Sequence, residues 1–241
     1  MHGKTNIIHK KRQSLEGKRK IMDTNNKALP ERNLSGKIIS LEKSRDYDRN
    51  RFTTRRRMRK LDAFEKSFAI RLFEMVGTDS AIIDIPCGNG RFYDVFSAAG
   101  KLIAADYSDN MLTAFRERIS NVENVKTLQA DITQIPLPDK CVDLAFSMRL
   151  FHHMKNDAVR SAALKELSRI SRKYVAFSFY NKRCLRYLWR KSLGKKIRGN
   201  YVTQDHYIEL AQDAGLELVS SYRYNIIEQQ SLVLFKKSEE P

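Results

Sequence analysis

The stretch Ala81-Ile82-Ile83-Asp84-Ile85-Pro86-Cys87-Gly88-Asn89-Gly90-Arg91-Phe92 decides the fold. It opens with a short β-branched run, which predicts a buried strand. A turn with two glycines follows, and a helix is expected over about 91–99. Glycines let a ligand approach the backbone, and a helix start offers free N–H groups to an anion. The third glycine of G-x-G-x-x-G is missing, because Tyr93 takes that place. No G-x-x-x-x-G-K-[ST] occurs, so a phosphate loop of that type is excluded.

The same alternation continues outward. Leu61, Phe64, Phe68, Leu72, Phe73 and Val76 have helical spacing, with Gly77 as a stop. Strands are expected at 101–105, 125–128, 142–147 and 174–179. Helices are expected after Ser108, over 156–170 and over 203–214. Two final strands, 216–224 and 231–236, read as an antiparallel pair. The fold class is therefore α/β: a Rossmann-like, mostly parallel seven-stranded sheet with helices on both faces and an antiparallel C-terminal strand pair. In such sheets ligands sit beyond the carboxyl ends of the strands. Asp84, Asp106, Asp131 and the segment 147–153 all fall there. Asp106 lies 18 residues after Gly88, where a carboxylate can accept both hydroxyls of a ribose.

Charge is distributed unevenly. The 241 residues carry 45 Lys+Arg against 28 Asp+Glu, a formal +17. Residues 1–60 hold 19 of the cations and 6 of the acids. Residues 1–45 read as a flexible basic tail, with His2, His9, Lys10, Lys11 and Arg12 able to meet anions. The domain is expected over 46–241, with a basic cap insert at 182–202. Residues 182–198 contain eight Lys/Arg and no acid. Without those eight, residues 61–241 carry 18 Lys/Arg against 22 Asp/Glu and are mildly acidic. Three scattered cysteines without a CxxC exclude a zinc ribbon or a disulfide framework, and no metal site is expected. They favour a reducing, cytoplasmic setting, with docking at a membrane periphery as an option. No apolar stretch reaches the length of a membrane helix.

Four motifs in order, with a double histidine after them, resemble the class I S-adenosylmethionine-dependent methyltransferases. Asp84–Phe92 is similar to their first motif. Ala105-Asp106-Tyr107-Ser108, with Met111-Leu112, resembles the acidic loop. Gln129-Ala130-Asp131-Ile132 resembles the adenine-contact motif. Ile135–Leu144 resembles the run into strand four, and Phe151-His152-His153 matches a double histidine of the subgroup that includes quinone-biosynthesis methyltransferases. The likeness covers roughly residues 60–180. Pro86 and Cys141-Val142 depart from the commoner residues without removing a polar contact.

The resemblance implies S-adenosyl-L-methionine as cofactor and S-adenosyl-L-homocysteine (SAH) as product. It places Cys87, Gly88 and Gly90 by the methionine part, with Asp84 toward the ammonium group. It gives Asp106 the ribose and Tyr107 and Met111 the adenine faces. Asp131 and Ile132 take the adenine edge, and Ser147, Met148 and Arg149 lie beside the methionine moiety. A nicotinamide dinucleotide fits less well, because the pyrophosphate cradle is incomplete. His152 and His153 are candidate bases, needed only if the acceptor must lose a proton. Tyr180, Arg186, Trp189 and Arg190 are candidate acceptor or docking residues. The expected reaction is methyl transfer to a small-molecule or lipid-linked acceptor. The alternative is an RNA substrate of tRNA type, tracked by the basic tail and cap.

Overall fold

The computed structural model describes residues 40–119 and 123–238. The basic tail up to residue 39 lies outside them. Three helices precede the sheet: α1 (Leu41–Arg45), α2 (Tyr47–Phe52) and α3 (Arg56–Val76). The tail boundary expected at 45 is therefore corrected, because 41–45 is helical and tied to the domain. Its Arg45 guanidinium meets Glu117 at 2.7 Å, and Asn89 donates to the Arg45 carbonyl at 3.2 Å. α3 starts five residues before the apolar pattern does. It buries Leu61, Phe68, Ala69 and Leu72, with the carboxylate of Glu65 in the same stripe. Gly77 stops it with φ +81°.

The remaining elements run β1 (Ala81–Asp84), α4 (Tyr93–Phe96), β2 (Lys101–Asp106), α5 (Asp109–Arg118), β3 (Val125–Gln129) and β4 (Val142–Ser147). A 3-10 turn (Phe151–His153) leads to α6 (Asp157–Ile170), β5 (Ser171–Asn181), α7 (Leu185–Ser192), β6 (Tyr201–Val202), α8 (Gln204–Gln212), β7 (Leu216–Arg223) and β8 (Gln230–Lys237). The strand order is β3-β2-β1-β4-β5-β8-β7, parallel from β3 to β5 and antiparallel through β8 and β7.

An eighth strand joins the seven expected. β6 pairs in parallel with the end of β5, at Tyr180 and Asn181. Pairing between β4 and β5 ends at Phe177, so β6 takes the edge that β4 leaves. Two residues are too few to show a period, which is why the pattern did not reveal it.

Alternation along the strands builds a core on each face. Ile83, Ala145 and Phe177 pack on one side with Phe151, Leu167 and Tyr207. Ile82, Leu144 and Phe146 pack on the other with Phe68, Phe96 and Phe115. β1 pairs with both β2 and β4, so the direction of strand addition reverses beside it. A crevice at the carboxyl end of β1 is the consequence. Among the described residues, no helix is long and apolar enough to cross a membrane.

Candidate functional site

The glycine turn closes on the neighbouring strand. Cys87 N–H donates to the Ala105 carbonyl at 2.8 Å, and Gly90 N–H to that of Cys87 at 3.1 Å. Gly88 and Gly90 have φ +56° and +91°. A Cβ on Gly90 would lie 2.7 Å from the Phe115 ring, whereas one on Gly88 would meet nothing. Gly90 thus serves packing, and Gly88 leaves open space. The helix after the turn is corrected from about nine residues to the single turn of α4. Directly after the glycine turn there is thus only one helical turn, too short for the helix start a pyrophosphate cradle uses.

Asp106 ends β2, and its two carboxylate oxygens each receive one backbone N–H. Gly88 donates to Oδ2 and Ser108 to Oδ1, both at 2.9 Å. Burial raises its pKa to about 6, while the hydrogen bonds from Ser108, Gly88 and Tyr107 pull it down. Each oxygen keeps acceptor capacity beyond these bonds. Asp131 is half used: Thr133 N–H and hydroxyl donate to its Oδ1 at 2.9 and 2.8 Å, leaving Oδ2.

One cavity gathers most of the residues singled out in the sequence. Cys87, Gly88, Asp106, Tyr107, Met111, Asp131, Ile132, Met148, Arg149 and His153 line it. Asp84, Gly90 and Ser147 do not. Asp84 is buried behind the wall with Oδ1 lacking a partner, and burial followed by the charge of Asp106 raises its pKa well above the carboxylate range. Ser147 is fully buried with its hydroxyl unpartnered.

The two histidine rings stay in contact, with centroids 4.1 Å apart, but meet different surroundings. His152 points into the body, stacked on Tyr180 with centroids 3.9 Å apart and planes 9° from parallel. Burial, then the charge of His153, pushes its pKa far down. His153 reaches the cavity wall, its pKa lowered by burial and then by Arg51. The sequence places them side by side; the 3-10 turn sends one inward and one to the cavity.

Arg91 and Arg149 do not present free charges to the cavity. Fully buried Glu65 holds both, with contacts of 2.5 Å to Arg91 Nη2 and 2.8 Å to Arg149 Nη2. Asp62 also holds Arg91, at 2.6 Å. Both guanidiniums lie over the Phe52 ring, at 3.9 and 4.9 Å from its centre. Arg149 sits at φ +59°, a strained conformation for a non-glycine residue, and its N–H donates to Ser178 Oγ at 2.7 Å.

Tyr47, Asp48, Arg51 and Phe52 complete the wall from α2. Sequence reasoning missed all four, because Tyr47 and Phe52 are too few apolar residues in a charged run to show a helical stripe. Asp48 is half-buried, and desolvation raises its pKa against the opposing charges of Arg91 and Arg118.

A second, polar cavity adjoins the first and shares Arg51 and Arg149 with it. Asn50, Thr54, Arg55, Arg57, Met58, Leu61, Tyr180, Gln229 and Gln230 also line it. Gln230 is 1% exposed, yet neither amide atom has a partner. Of the other candidate docking residues, Arg186 pairs with Glu228 at 3.0 Å, a carboxylate that Arg57 also holds. Arg190 donates to the Lys196 carbonyl at 2.5 Å, and Trp189 is exposed. Trp189 and Arg190 line neither cavity.

The residues present fit S-adenosyl-L-methionine. A ribose-sized acceptor carboxylate stands beside a glycine turn, apolar side chains flank it, and an orphaned buried carboxylate lies behind. Residues 83–179 match the family model described as a methyltransferase domain. The glycine turn and Asp106 lie within that match, so this part of the chain is similar to a methyltransferase domain.

Among its relatives, a ubiquinone/menaquinone biosynthesis C-methyltransferase from Pseudomonas fluorescens is 36% identical over 106 residues, covering 40% of this chain and 41% of that protein. An Arabidopsis thaliana chloroplastic methyltransferase is 27% identical over 157 residues, covering 58% and 43% respectively. The chain thus spans about two fifths of the length of these relatives. In fold it is similar to magnesium protoporphyrin IX methyltransferase from Synechocystis with bound SAH, with TM-score 0.62, 13% identity and coverage of 75% of this chain and 84% of that one. A SAM-dependent methyltransferase from Methanosarcina mazei gives 0.60, at 14% identity over 70% and 98% of the two chains.

Proposed function

We infer that the chain transfers the methyl group of S-adenosyl-L-methionine to a small-molecule or lipid-linked acceptor. The observation that carries this reading is Asp106, a buried carboxylate at the switch point, braced by two backbone N–H groups beside an open glycine. When bound, the cofactor supplies a methyl group on a sulfonium, already activated for in-line displacement. The protein's task is then orientation and exclusion of water.

In this reading Asp106 accepts from the ribose hydroxyls, with Tyr107 and Met111 flanking the adenine and Ile132 and Asp131 at its edge. Met148 and the backbone at Gly88 take the methionine end. Asp84 lies behind that end and offers its unpartnered oxygen toward the ammonium group. Arg149 acts through its backbone, because its side chain is committed to Glu65.

The acceptor enters by the second cavity, where Arg51 and Arg149 border both spaces. The unpartnered amide of Gln230 and the cation of Arg51 suit an acceptor with an oxygen-bearing, hydrogen-bonding head. Similarity to the quinone-biosynthesis C-methyltransferases supports an aromatic, lipid-linked head as the first acceptor to try. His153, neutral at pH 7, is the side chain placed to take a proton from it.

Calorimetric titration with S-adenosyl-L-methionine tests the cofactor site, and Asp106→Asn should weaken it sharply. Transfer of labelled methyl to small-metabolite, lipid and RNA fractions tests the acceptor. Label in lipid or metabolites supports the reading; label in RNA alone overturns it.

A further inference from the structure

The helix α7 is amphipathic in the reverse sense. A surface helix ordinarily turns its apolar stripe to the core. Here Tyr187 faces the domain, its ring 4.8 Å from that of Tyr201. At about 100° per residue, Leu185 and Trp189 fall about 160° from Tyr187, on the opposite side of the helix, and Leu188 about 100° from it, on the flank. They are 48%, 49% and 56% exposed, and no residue of the helix is buried. The turn between β7 and β8 adjoins the first turn of α7. Leu185 N–H donates to the Ile226 carbonyl at 2.9 Å and Arg186 N–H to that of Ile227 at 3.2 Å. Ile226 and Ile227 are themselves 66% and 51% exposed.

Cations surround this apolar surface. Of the eight between 182 and 198, Arg183 and Arg186 pair with Asp205 and Glu228. Among the described residues, Lys182, Arg190, Lys191, Lys195, Lys196 and Arg198 have no carboxylate partner. Lys195 lies 4.4 Å from the centre of the Trp189 ring, so charge flanks the apolar stripe rather than breaking it.

We propose that this face docks the protein on an anionic lipid bilayer. α7 lies in the headgroup plane, with Leu185, Leu188 and Trp189 entering the acyl boundary and the lysines and arginines on lipid phosphates. Charge complementarity selects this occupant. A second copy would set like charges against each other, and a nucleic acid would engage the cations while leaving the aliphatic side chains in water. The proposal goes beyond the methyl-transfer reading and does not depend on it.

Trp189 is the chain's single tryptophan, so its emission reports on α7 alone. The full chain is mixed with vesicles of phosphatidylglycerol and phosphatidylcholine, and separately with phosphatidylcholine alone. The expected result is a blue shift and quenching by brominated acyl chains on the anionic vesicles, weakened by salt and slight on the neutral ones. Leu185→Glu/Leu188→Glu should lower partitioning by at least about tenfold. Its circular dichroism and melting should be unchanged, because both side chains are exposed. Vesicle binding with unchanged Trp189 emission would assign the affinity to other basic segments and overturn the proposal. So would full binding by the double variant, self-association that shields Trp189 without lipid, or a Trp189 shift produced by RNA and not by vesicles.

Discussion

Asp106 links cofactor affinity and stability to pH in opposite directions. Its pKa of about 6 in the fold stands against an ordinary 3.8. If the carboxylate is what holds the ribose hydroxyls, binding requires the ionised form. That form is about nine tenths populated at pH 7 and about one tenth at pH 5. Affinity for S-adenosyl-L-methionine should therefore fall about tenfold between those values. Asp106→Asn removes the charge from two hydrogen bonds worth about 1.5–3 kcal/mol each. Allowing for what the amide retains, about 2–4 kcal/mol is lost, or about 30- to 1,000-fold in Kd.

The protein without cofactor behaves in the reverse way. The folded-state pKa is raised, so between about 6 and 4 the folded chain holds a proton that the unfolded chain has released. Stability attributable to Asp106 thus increases as pH falls through this window. The gap between 3.8 and about 6 corresponds to about 3 kcal/mol for this fully buried group. His152 also titrates but is present in both proteins, whereas Asp84, whose pKa the Asp106 charge raises, should titrate lower in the Asn variant and adds to the difference in the same direction. The part of the wild-type versus Asp106→Asn difference that Asp106 itself supplies should move by about 2.5 kcal/mol in favour of wild type from pH 7 to pH 4 in urea melts, the remainder arriving only below the unfolded-state pKa. Flat affinity across pH 7.5 to 5, or unchanged Kd in the Asn variant, would refute the assignment of Asp106 to the ribose.

Three further outcomes are expected. Glu65→Gln leaves Arg149 without a carboxylate, while Arg91 keeps Asp62; urea melts should show a loss of about 3–5 kcal/mol, partly recovered by Glu65→Gln/Arg149→Met, and a loss below about 1 kcal/mol would contradict the buried pairing. Gly90→Ala should cost about 2–4 kcal/mol through its positive φ and the Phe115 contact, whereas Gly88→Ala should cost about 1 kcal/mol in melts and more in cofactor affinity; equal losses in both assays would show that the two glycines do not divide the work. His153→Asn should reduce kcat with melting nearly unchanged, and His152→Ala should lower melting by about 1–3 kcal/mol through its lost stack on Tyr180; full activity in His153→Asn would remove the base from the mechanism.

What the sequence made legible follows from how each part is stabilised. The central parallel strands are buried on both faces, so they stand out as apolar runs such as Ile82-Ile83 and Leu144-Ala145-Phe146. Asp106 was legible because a backbone turn, an acid and a ribose impose a fixed order along the chain. Glu65, in contrast, is one acid in a charged helix until folding sets Arg149 beside it, 84 positions away. α2 was hidden for the same reason. Its side chains close the cavity through contacts with residues far along the chain, and its composition alone resembles a solvated arm.

The insert shows the sharper limit. The spacing of Leu185, Leu188 and Trp189 among basic residues is that of an amphipathic helix, but it leaves open whether the apolar face turns to the domain or away from it. Period fixes which residues share a face, not which face the domain takes. That choice fell to Tyr187, whose ring sits near Tyr201 in a series of contacts that continues at 5.4 Å to Tyr180 and 3.9 Å to His152. The series runs from α7 to the wall of the second cavity. With Tyr187 occupying the inward side, Leu185, Leu188 and Trp189 have only solvent or an apolar partner to face. The charge of the chain divides accordingly. The arginines at the cofactor crevice, Arg91 and Arg149, are neutralised by acids of the same domain, while most cations of the insert are unpaired and rim an apolar surface. A protein whose basicity served only cofactor binding would not place its unpaired charge around exposed leucines.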